Sequence, residues 1–292
     1  MSTKKTSIAA ILTCYNRKDK TLKSISNLMS QQGLEEFDLA IYLVDDGSTD
    51  GTSDSVKQQF PNVNIIKGDG TLFWNGGMRV AFAKAMQVGY DYYLWLNDDT
   101  NLYKDALKRL FKTRDLAKDK DIIVTGTIID PEGREENYGG RRQKDKLHPI
   151  TFLLVEHSDI AQKSDTFNGN VVLIPKAVPN SIGNISEEFS KQHNGDIDYG
   201  LRAKYAGFET WVAPGILGEC SSNPIEGTIF DESQDLKQRM KQMRTPKGVP
   251  PAKEWMIFTK RHGGFLWPYF WFRTIVRVIF PFTYLFLRRP TK

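Results

Sequence analysis

The sequence predicts an α/β protein, a single mixed and mostly parallel sheet flanked by helices, followed by an amphipathic helical tail. Three observations predict it. Short apolar runs alternate with segments of helical spacing through the first half of the chain. Several of those runs end in acidic or polar residues, where open parallel sheets carry their ligands. Beyond about residue 255 the composition turns aromatic and basic. The expected division is a main domain over 1–222, with halves 1–100 and 101–222, a flexible basic segment over 223–254 and a tail over 255–292.

Ser7–Thr13 is the first strand, with Ile8-Ala9-Ala10-Ile11-Leu12 as its apolar run. The polar turn Cys14-Tyr15-Asn16-Arg17 leads to a helix, Lys20–Gln31, that lines up Leu22, Ile25 and Leu28 or Met29 on one face. No glycine occurs between Ser7 and Gln32, which excludes the glycine fingerprint of a dinucleotide-binding unit. Phe37–Val44 is the second strand and ends in Asp45-Asp46-Gly47-Ser48-Thr49-Asp50. Ser48 or Asp50 can cap the helix Thr52–Phe60, but capping leaves the pair Asp45 and Asp46 unexplained. A carboxylate at that tip can accept the imide N–H of a uracil or thymine ring. Val63–Lys67 is a third, short strand. In the glycine-rich run that follows, Gly76 and Gly77 let backbone approach a ligand closely. Arg79 is expected to open the helix Val80–Val88 and to offer a diphosphate charge-assisted hydrogen bonds.

Tyr92–Leu96 reads as a buried parallel strand that stops abruptly at Asn97-Asp98-Asp99. Two carboxylates and an amide at one strand tip suit a hard cation, Mg²⁺ or Mn²⁺, whose open positions are filled by substrate phosphates. Asp99, helped by Asp98 or Asn97, is the expected ligand set. The competing reading makes these residues a turn and cap before the helix Lys104–Phe111.

In the second half, Asp121–Ile129 is a strand and Asp130-Pro131-Glu132-Gly133 a turn. The stretch 135–149 is polar and basic and is expected to be an exposed loop, near the site or simply solvated. Phe167–Pro175 is a strand preceded by small polar residues. Asp196 and Asp198 stand two apart and so cannot share a helical face. One can cap a helix running through Tyr205 while the other points elsewhere. Glu209–Ala213 is the last strand.

Composition sets the remaining bounds. Cys14 and Cys220 are the only cysteines of 292 residues, too few for a disulfide framework or a cysteine zinc site, and the four histidines lack zinc-ligand spacing. The start of the chain lacks an apolar signal region, so a reducing, cytoplasmic setting is expected. Of the formal charge of +5, the stretch from Lys253 onward carries +7 and the rest −2. Phe265–Leu287 mixes aromatics with Arg273 and Arg277 and is broken by Pro268 and Pro281. Two central arginines argue against a spanning helix, and the mixture suits the interface of an anionic membrane. A helical hairpin packed on the body or on a second subunit, a homo-oligomer, is the rival. Nucleic acid is not expected, because so much aliphatic bulk would need another burial site.

Thr13-Cys14-Tyr15-Asn16-Arg17, Val44-Asp45-Asp46-Gly47-Ser48-Thr49-Asp50, Trp74-Asn75-Gly76-Gly77-Met78-Arg79 and Leu96-Asn97-Asp98-Asp99-Thr100, in this order and spacing, resemble glycosyltransferase family 2. The likeness looks closest to the bacterial rhamnosyltransferase-like branch that builds surface polysaccharides. The resemblance implies the GT-A fold, a nucleotide-binding first half and an acceptor-binding second half. It implies inverting transfer from a UDP- or dTDP-sugar, dTDP-rhamnose among them, to a saccharide acceptor; the tail, which would bring the site to the inner face of the membrane, makes a lipid-linked acceptor the expected one. By position it assigns Thr13 and Tyr15 to the base and Asn16 to the nucleotide sugar. Asp45 or Asp46 falls on the base's polar edge, and Asp99 on the family's D-x-D metal ligand, whose first residue is Asn97 here. Asn168, Gly169, Asn170 and His193 fall on the acceptor side. The acidic pair that supplies the catalytic base falls on Gly195 and Asp196, so Asp196 is the expected base and Asp198 the alternative. Many relatives place a histidine ligand near the end of the last strand; Cys220 stands there and is expected to be a buried small residue. Two other classes stay open: a nucleotidyltransferase that makes a nucleotide sugar, for which a glycine-rich turn after the first strand would speak, and a non-catalytic sugar-binding membrane scaffold.

Overall fold

The computed structural model describes residues 5–118, 120–132, 136–221, 233–242, 245 and 248–279. In chain order the elements up to Glu219 are β1 (Thr6–Cys14), α1 (Lys18–Met29), β2 (Phe37–Asp45), α2 (Thr52–Gln59), β3 (Asn64–Lys67), α3 (Phe73–Val88), β4 (Tyr92–Leu96), β5 (Asn101–Leu102), α4 (Ala106–Asp115), β6 (Ile122–Ile129), β7 (Glu136–Tyr138), β8 (Gly140–Gln143), β9 (Phe152–Leu154), β10 (Gln162–Ser164), β11 (Thr166–Phe167), β12 (Val171–Pro175), α5 (Ala177–Ile182), α6 (Gly195–Tyr205) and β13 (Glu209–Glu219). The main sheet has the order β10-β13-β6-β12-β4-β1-β2-β3, with β5 on β13 and β7 on β6. β3, β2, β1 and β4 run parallel, and β12 lies antiparallel between β4 and β6. A small second sheet has the order β11-β8-β9. The expected mixed, mostly parallel sheet is the one observed.

The continuous apolar runs follow from burial on both faces. Ile8, Ala10 and Leu12 of β1 point into a core shared with Ile25 and Leu28 of α1 and Leu107 and Leu110 of α4. Ala9 and Ile11, on the other face, join Met78, Ala81 and Phe82 of α3 and Tyr199 of α6. Trp95 of β4 is fully buried there, edge-on to Phe82 at 5.6 Å.

Three sequence expectations are corrected. The helix expected from Val80 begins at Phe73, so Trp74 to Arg79 are helical rather than loop. The stretch expected as one strand over 167–175 is two: β11 in the small sheet and β12 in the main one, with Asn168-Gly169-Asn170 as the corner between them. The stretch expected as a loop from 135 contributes β7 and β8, paired to β6 and β11. Hydrophobic periodicity signals none of these, because each is fixed by a distant partner.

By its internal contacts the chain forms two compact units, Met1–Arg142 with Leu153–Ser222, and Gln143–Phe152 with Asn223–Lys292. In the second, α7 (Leu236–Gln242), α8 (Ala252–His262) and α9 (Trp267–Ile279) are helical. Phe258 and Phe270 are buried, and Trp255 stacks on Phe258 at 5.5 Å and donates to the Phe270 carbonyl at 3.4 Å. Pro268 does not break α9; it sits in the first turn, where a missing N–H costs nothing. Pro281, Arg288 and Arg289 lie outside the described residues. Among the described residues no helix is long and apolar enough to cross a membrane.

Candidate active site

The strand order β4-β1-β2 and its parallel register bring three strand tips side by side: Cys14 pairs with Asp45, and the N–H of Asp46 donates to the Cys14 carbonyl at 2.9 Å. β12, antiparallel to β4, starts at the same edge, so Val171 faces Leu96 and Asn170 meets Asn97. Residues distant in sequence therefore converge along one rim.

At the β1 and β2 tips most polar groups hold the loops. Asn16, at φ +50, takes the Thr49 N–H on its side-chain oxygen at 2.8 Å and donates its own N–H to Ser48 Oγ at 2.9 Å. Asp50 accepts from the N–H of Lys18 and of Thr52, fastening the starts of α1 and α2 together. Asp45 accepts from the Ser48 N–H at 2.9 Å and from the Ser53 hydroxyl. Asp46 accepts from the N–H of Gly70 and of Phe73, both at 2.9 Å, and so shapes the turn into α3. Tyr15, 55 % exposed, offers an open aromatic face beside these acids.

The β4 tip is a buried acidic pair. Asp98 and Asp99 are 5 % and 8 % exposed. Nη1 of Arg17 lies 2.7 Å from Asp99 Oδ2 and 3.3 Å from Asp98 Oδ1. Thr21 Oγ1 donates to Asp98 at 3.4 Å, and the Cys220 thiol donates to Asp99 Oδ1 at 3.4 Å. Burial pushes the Asp98 carboxyl up to about 7 and Asp99 beside it adds to the rise, both against the pull of Arg17. Burial likewise raises the Cys220 thiol to about 12, with Asp99 adding to it. Cys220 is buried as expected, yet it touches the acid pair. Asn97 is committed elsewhere: its oxygen accepts from Trp74 Nε1 at 2.8 Å, and its amide donates to Asn170 Oδ1 at 2.7 Å. That leaves two hard carboxylates as donors for a cation. Among the described residues no three acidic, cysteine or histidine side chains form a complete metal cage. A buried acid pair that already demands a positive partner fits a Mg²⁺ or Mn²⁺ ion completed by phosphate oxygens.

On the far side of β12, Asp196 opens α6 half-buried, its oxygens taking the N–H of Gly169 at 2.9 Å and of Ile197 at 2.8 Å. Burial raises its carboxyl, and the two N–H groups restrain the rise. Asp198 is fully buried and paired to Arg202 at 2.8 Å; Arg202 also donates to the Ile182 and Asn184 carbonyls, so this acid anchors α6 to α5. Asn75 donates to the His193 carbonyl at 3.2 Å, tying α3 to the stretch before α6.

The body of α3 holds three residues expected at the ligand. A Cβ on Gly77 would stand 2.0 Å from Thr13 Oγ1, and one on Gly76 3.1 Å from Leu72 Cβ. Both glycines therefore serve close packing, that of Gly77 against β1. Arg79 lies beyond the first turn and donates to the Ser186 and Phe189 carbonyls at 3.4 and 3.3 Å. The sequence reading missed Arg17, Trp74, Tyr138 and Arg141. The first two lie inside the quoted motifs; the last two lie in the stretch read as loop. A cavity of about 470 Å³ bordered by Thr6, Tyr92 and Lys176 opens at the other end of β1 and β4 and has no part in this cluster.

The model of Glycosyl transferase family 2 matches residues 9–173, more than half of the chain. The chain belongs to glycosyl transferase family 2. No curated protein matches it by sequence. Among solved structures, the mannosyltransferase PcManGT from Pyrobaculum calidifontis, in complex with GDP-Man and Mn²⁺, is similar with a TM-score of 0.53 at 16% identity, over 86% of this chain and 67% of that one. TarS 1-349 of S. aureus is similar at 0.53 and 15% identity, over 87% and 70%, and its complex with UDP at 0.54 and 16% over the same shares. The fold of this family 2 chain is GT-A.

Proposed function

We propose that this glycosyltransferase is an inverting enzyme that moves a sugar from a UDP- or dTDP-sugar, with dTDP-rhamnose as one candidate, to a saccharide acceptor in surface polysaccharide assembly. The observation that carries the reading is the single rim holding Tyr15 and Asp46, the buried pair Asp98 and Asp99, and, across β12, Asp196. Tyr15 stacks on the base, and the remaining lone pairs of Asp46 face its imide. Asp99, with Asp98, would hold a Mg²⁺ or Mn²⁺ ion, which when bound neutralises charge on the leaving diphosphate. Arg17, held by both acids, adds a second positive charge at the same place.

Asp196 takes the proton of the acceptor hydroxyl. That oxygen forms its bond to the anomeric carbon from the face opposite the diphosphate; the bond to the diphosphate oxygen breaks, and the nucleoside diphosphate leaves. One displacement inverts the centre. The burial that raises Asp196 brings its basicity closer to working pH, and the two N–H groups fix its direction. The acceptor is lipid-linked, and the basic, aromatic C-terminal stretch brings the chain to an anionic membrane face.

A donor screen that follows release of UDP, dTDP and GDP identifies the sugar. Asp196→Asn is expected to lower turnover by about 10²–10⁴-fold while nucleotide binding stays within twofold. Turnover retained in Asp196→Asn overturns its role as base.

A further inference from the structure

We propose that Arg141 seats an oxyanion carried by the acceptor, a phosphate or a carboxylate placed beside the hydroxyl that Asp196 deprotonates. The inference rests on the assignment of Asp196 as the base.

The seat is built by two consecutive residues. Asn168 takes Nε of Arg141 on its side-chain oxygen at 2.7 Å, and the N–H of the next residue, Gly169, holds Asp196 at 2.9 Å. The corner between β11 and β12 therefore presents a cation and the base together. Arg141 is fixed at its root as well. It pairs with Thr166 across the small sheet, and its carbonyl accepts the Asp165 N–H at 2.8 Å. Gly140 before it has no room for a side chain: a Cβ there would stand 2.3 Å from Val212 Cγ2.

Its charge is not balanced by contact. Arg141 is half-buried, and its side-chain partners are the Asn168 oxygen and, at 3.2 Å, the Asn137 carbonyl. Both are neutral. Among the described residues no carboxylate lies within ion-pair distance of it, whereas Arg17 and Arg202 each have one at 2.8 Å or less. Burial lowers the Arg141 guanidinium from its ordinary range, and Asp196 compensates only from a distance. The oxygens of Asp196 are taken by backbone N–H groups instead. A partly desolvated guanidinium with spare N–H donors gains most from a ligand that brings its own negative oxygens in a planar or tetrahedral pair. A neutral sugar would leave that charge uncompensated.

The donor's diphosphate offers the same chemistry, so the test must separate the two. Full-length protein with Mn²⁺ is titrated by calorimetry first with UDP and dTDP. Saturated with the one that binds, it is then titrated with glucose 1-phosphate, glucuronate, inorganic phosphate and glucose. Expected are anionic probes bound at least about tenfold more tightly than glucose, loss of that preference in Arg141→Gln, partial retention in Arg141→Lys, and nucleotide affinity changed less than twofold. Inorganic phosphate bound as tightly as glucose 1-phosphate would still mark an oxyanion seat, whereas glucose 1-phosphate and glucuronate bound no better than glucose would overturn the proposal. So would a preference that survives Arg141→Gln. Nucleotide binding lost along with the preference would assign Arg141 to the donor. Should Arg141→Gln fail to fold, the wild-type preference and Arg141→Lys decide alone. A wild-type chain that binds neither UDP nor dTDP refutes the proposed donor, and the probe titrations, run then without nucleotide, still judge the seat.

Discussion

Asp196 and Asp198, two positions apart in the first turn of α6, have opposite fates, and their surroundings explain why. Asp198 faces inward onto Arg202, where a buried ion pair fixes α6. Asp196 faces the rim, held by two N–H groups. A similar contrast separates Asn97, whose amide is spent on Trp74 and Asn170, from Asp98 and Asp99, which share Arg17. The state of Asp98 makes a sharp prediction. Burial raises it to about 7, above the ordinary carboxylate value near 4. The fold therefore favours its protonated form; the stability this group contributes is complete below about pH 4 and is lost as pH rises through 7. A cation at the pair requires the anion, so Mn²⁺ affinity should climb between pH 6 and 8. At pH 6 binding should release close to one proton, read from calorimetry in buffers of differing ionisation heat. Asp98→Asn should abolish both the release and the climb. A proton count near zero at pH 6 in the wild type would show that Asp98 is already ionised.

At the level of elements, the helix α3 is placed by absence of side chains. Gly77 lies against Thr13, whose strand ends at Cys14, directly before Tyr15. A methyl group at 77 would meet Thr13 Oγ1 at 2.0 Å, far inside any contact distance, so helix and strand must part. Gly77→Ala should cost about 1–3 kcal/mol in urea unfolding, and it should weaken nucleotide binding several-fold through the displaced strand tip, with Gly89→Ala as a control whose Cβ meets nothing within 4 Å but whose φ of +82 is itself strained. Unaltered stability in Gly77→Ala would mean that α3 has slack the packing does not reveal. Legibility followed the same physics. β1, β2, β4, β6 and β12 were readable because burial on both faces forces continuous apolar runs. The acids at their tips were readable because a parallel sheet puts function at that end. The start of α3 was not: Gly76-Gly77 looks like a loop until β1 supplies the surface that needs them. β7 and β8 were not, since Glu136–Tyr138 and Gly140–Gln143 are short, polar and defined by pairing with β6 and β11. With them went Arg141 and Tyr138, the latter raised to about 12 by burial, with Cys220, Asp99 and Asp196 all adding to the rise.

For the whole molecule the charge is divided: +7 from Lys253 onward against −2 for everything before it. Within the second unit, the apolar side chains divide as well. Phe258 and Phe270 are buried, while Phe265, Tyr269 and Phe272 are 81 %, 57 % and 60 % exposed. Tyr269 and Phe272, three apart in α9, share a helical face, Phe265 lies in the short turn just before that helix, and Arg273 lies over the Tyr269 ring at 5.6 Å. Exposed aromatics, basic residues among them and, from Lys253 onward, a single acid, the buried Glu254, match the interface of an anionic bilayer, where rings enter the headgroup boundary and cations meet phosphates. Since the described helices are too short or too polar to span, adhesion should be reversible and salt-sensitive. The full chain should co-sediment with vesicles containing phosphatidylglycerol and leave pure phosphatidylcholine vesicles largely unbound. Replacing Phe265, Tyr269 and Phe272 with serine should weaken that binding by about tenfold or more, since each ring contributes more than a kcal/mol of apolar transfer, and 0.5 M salt, taken as roughly a Debye length of 4 Å, should weaken the wild type too. Equal binding by the triple variant would move the contact elsewhere. A concentration-dependent dimer in sedimentation equilibrium, abolished by the same three changes, would instead assign the aromatic face to a second copy of the chain.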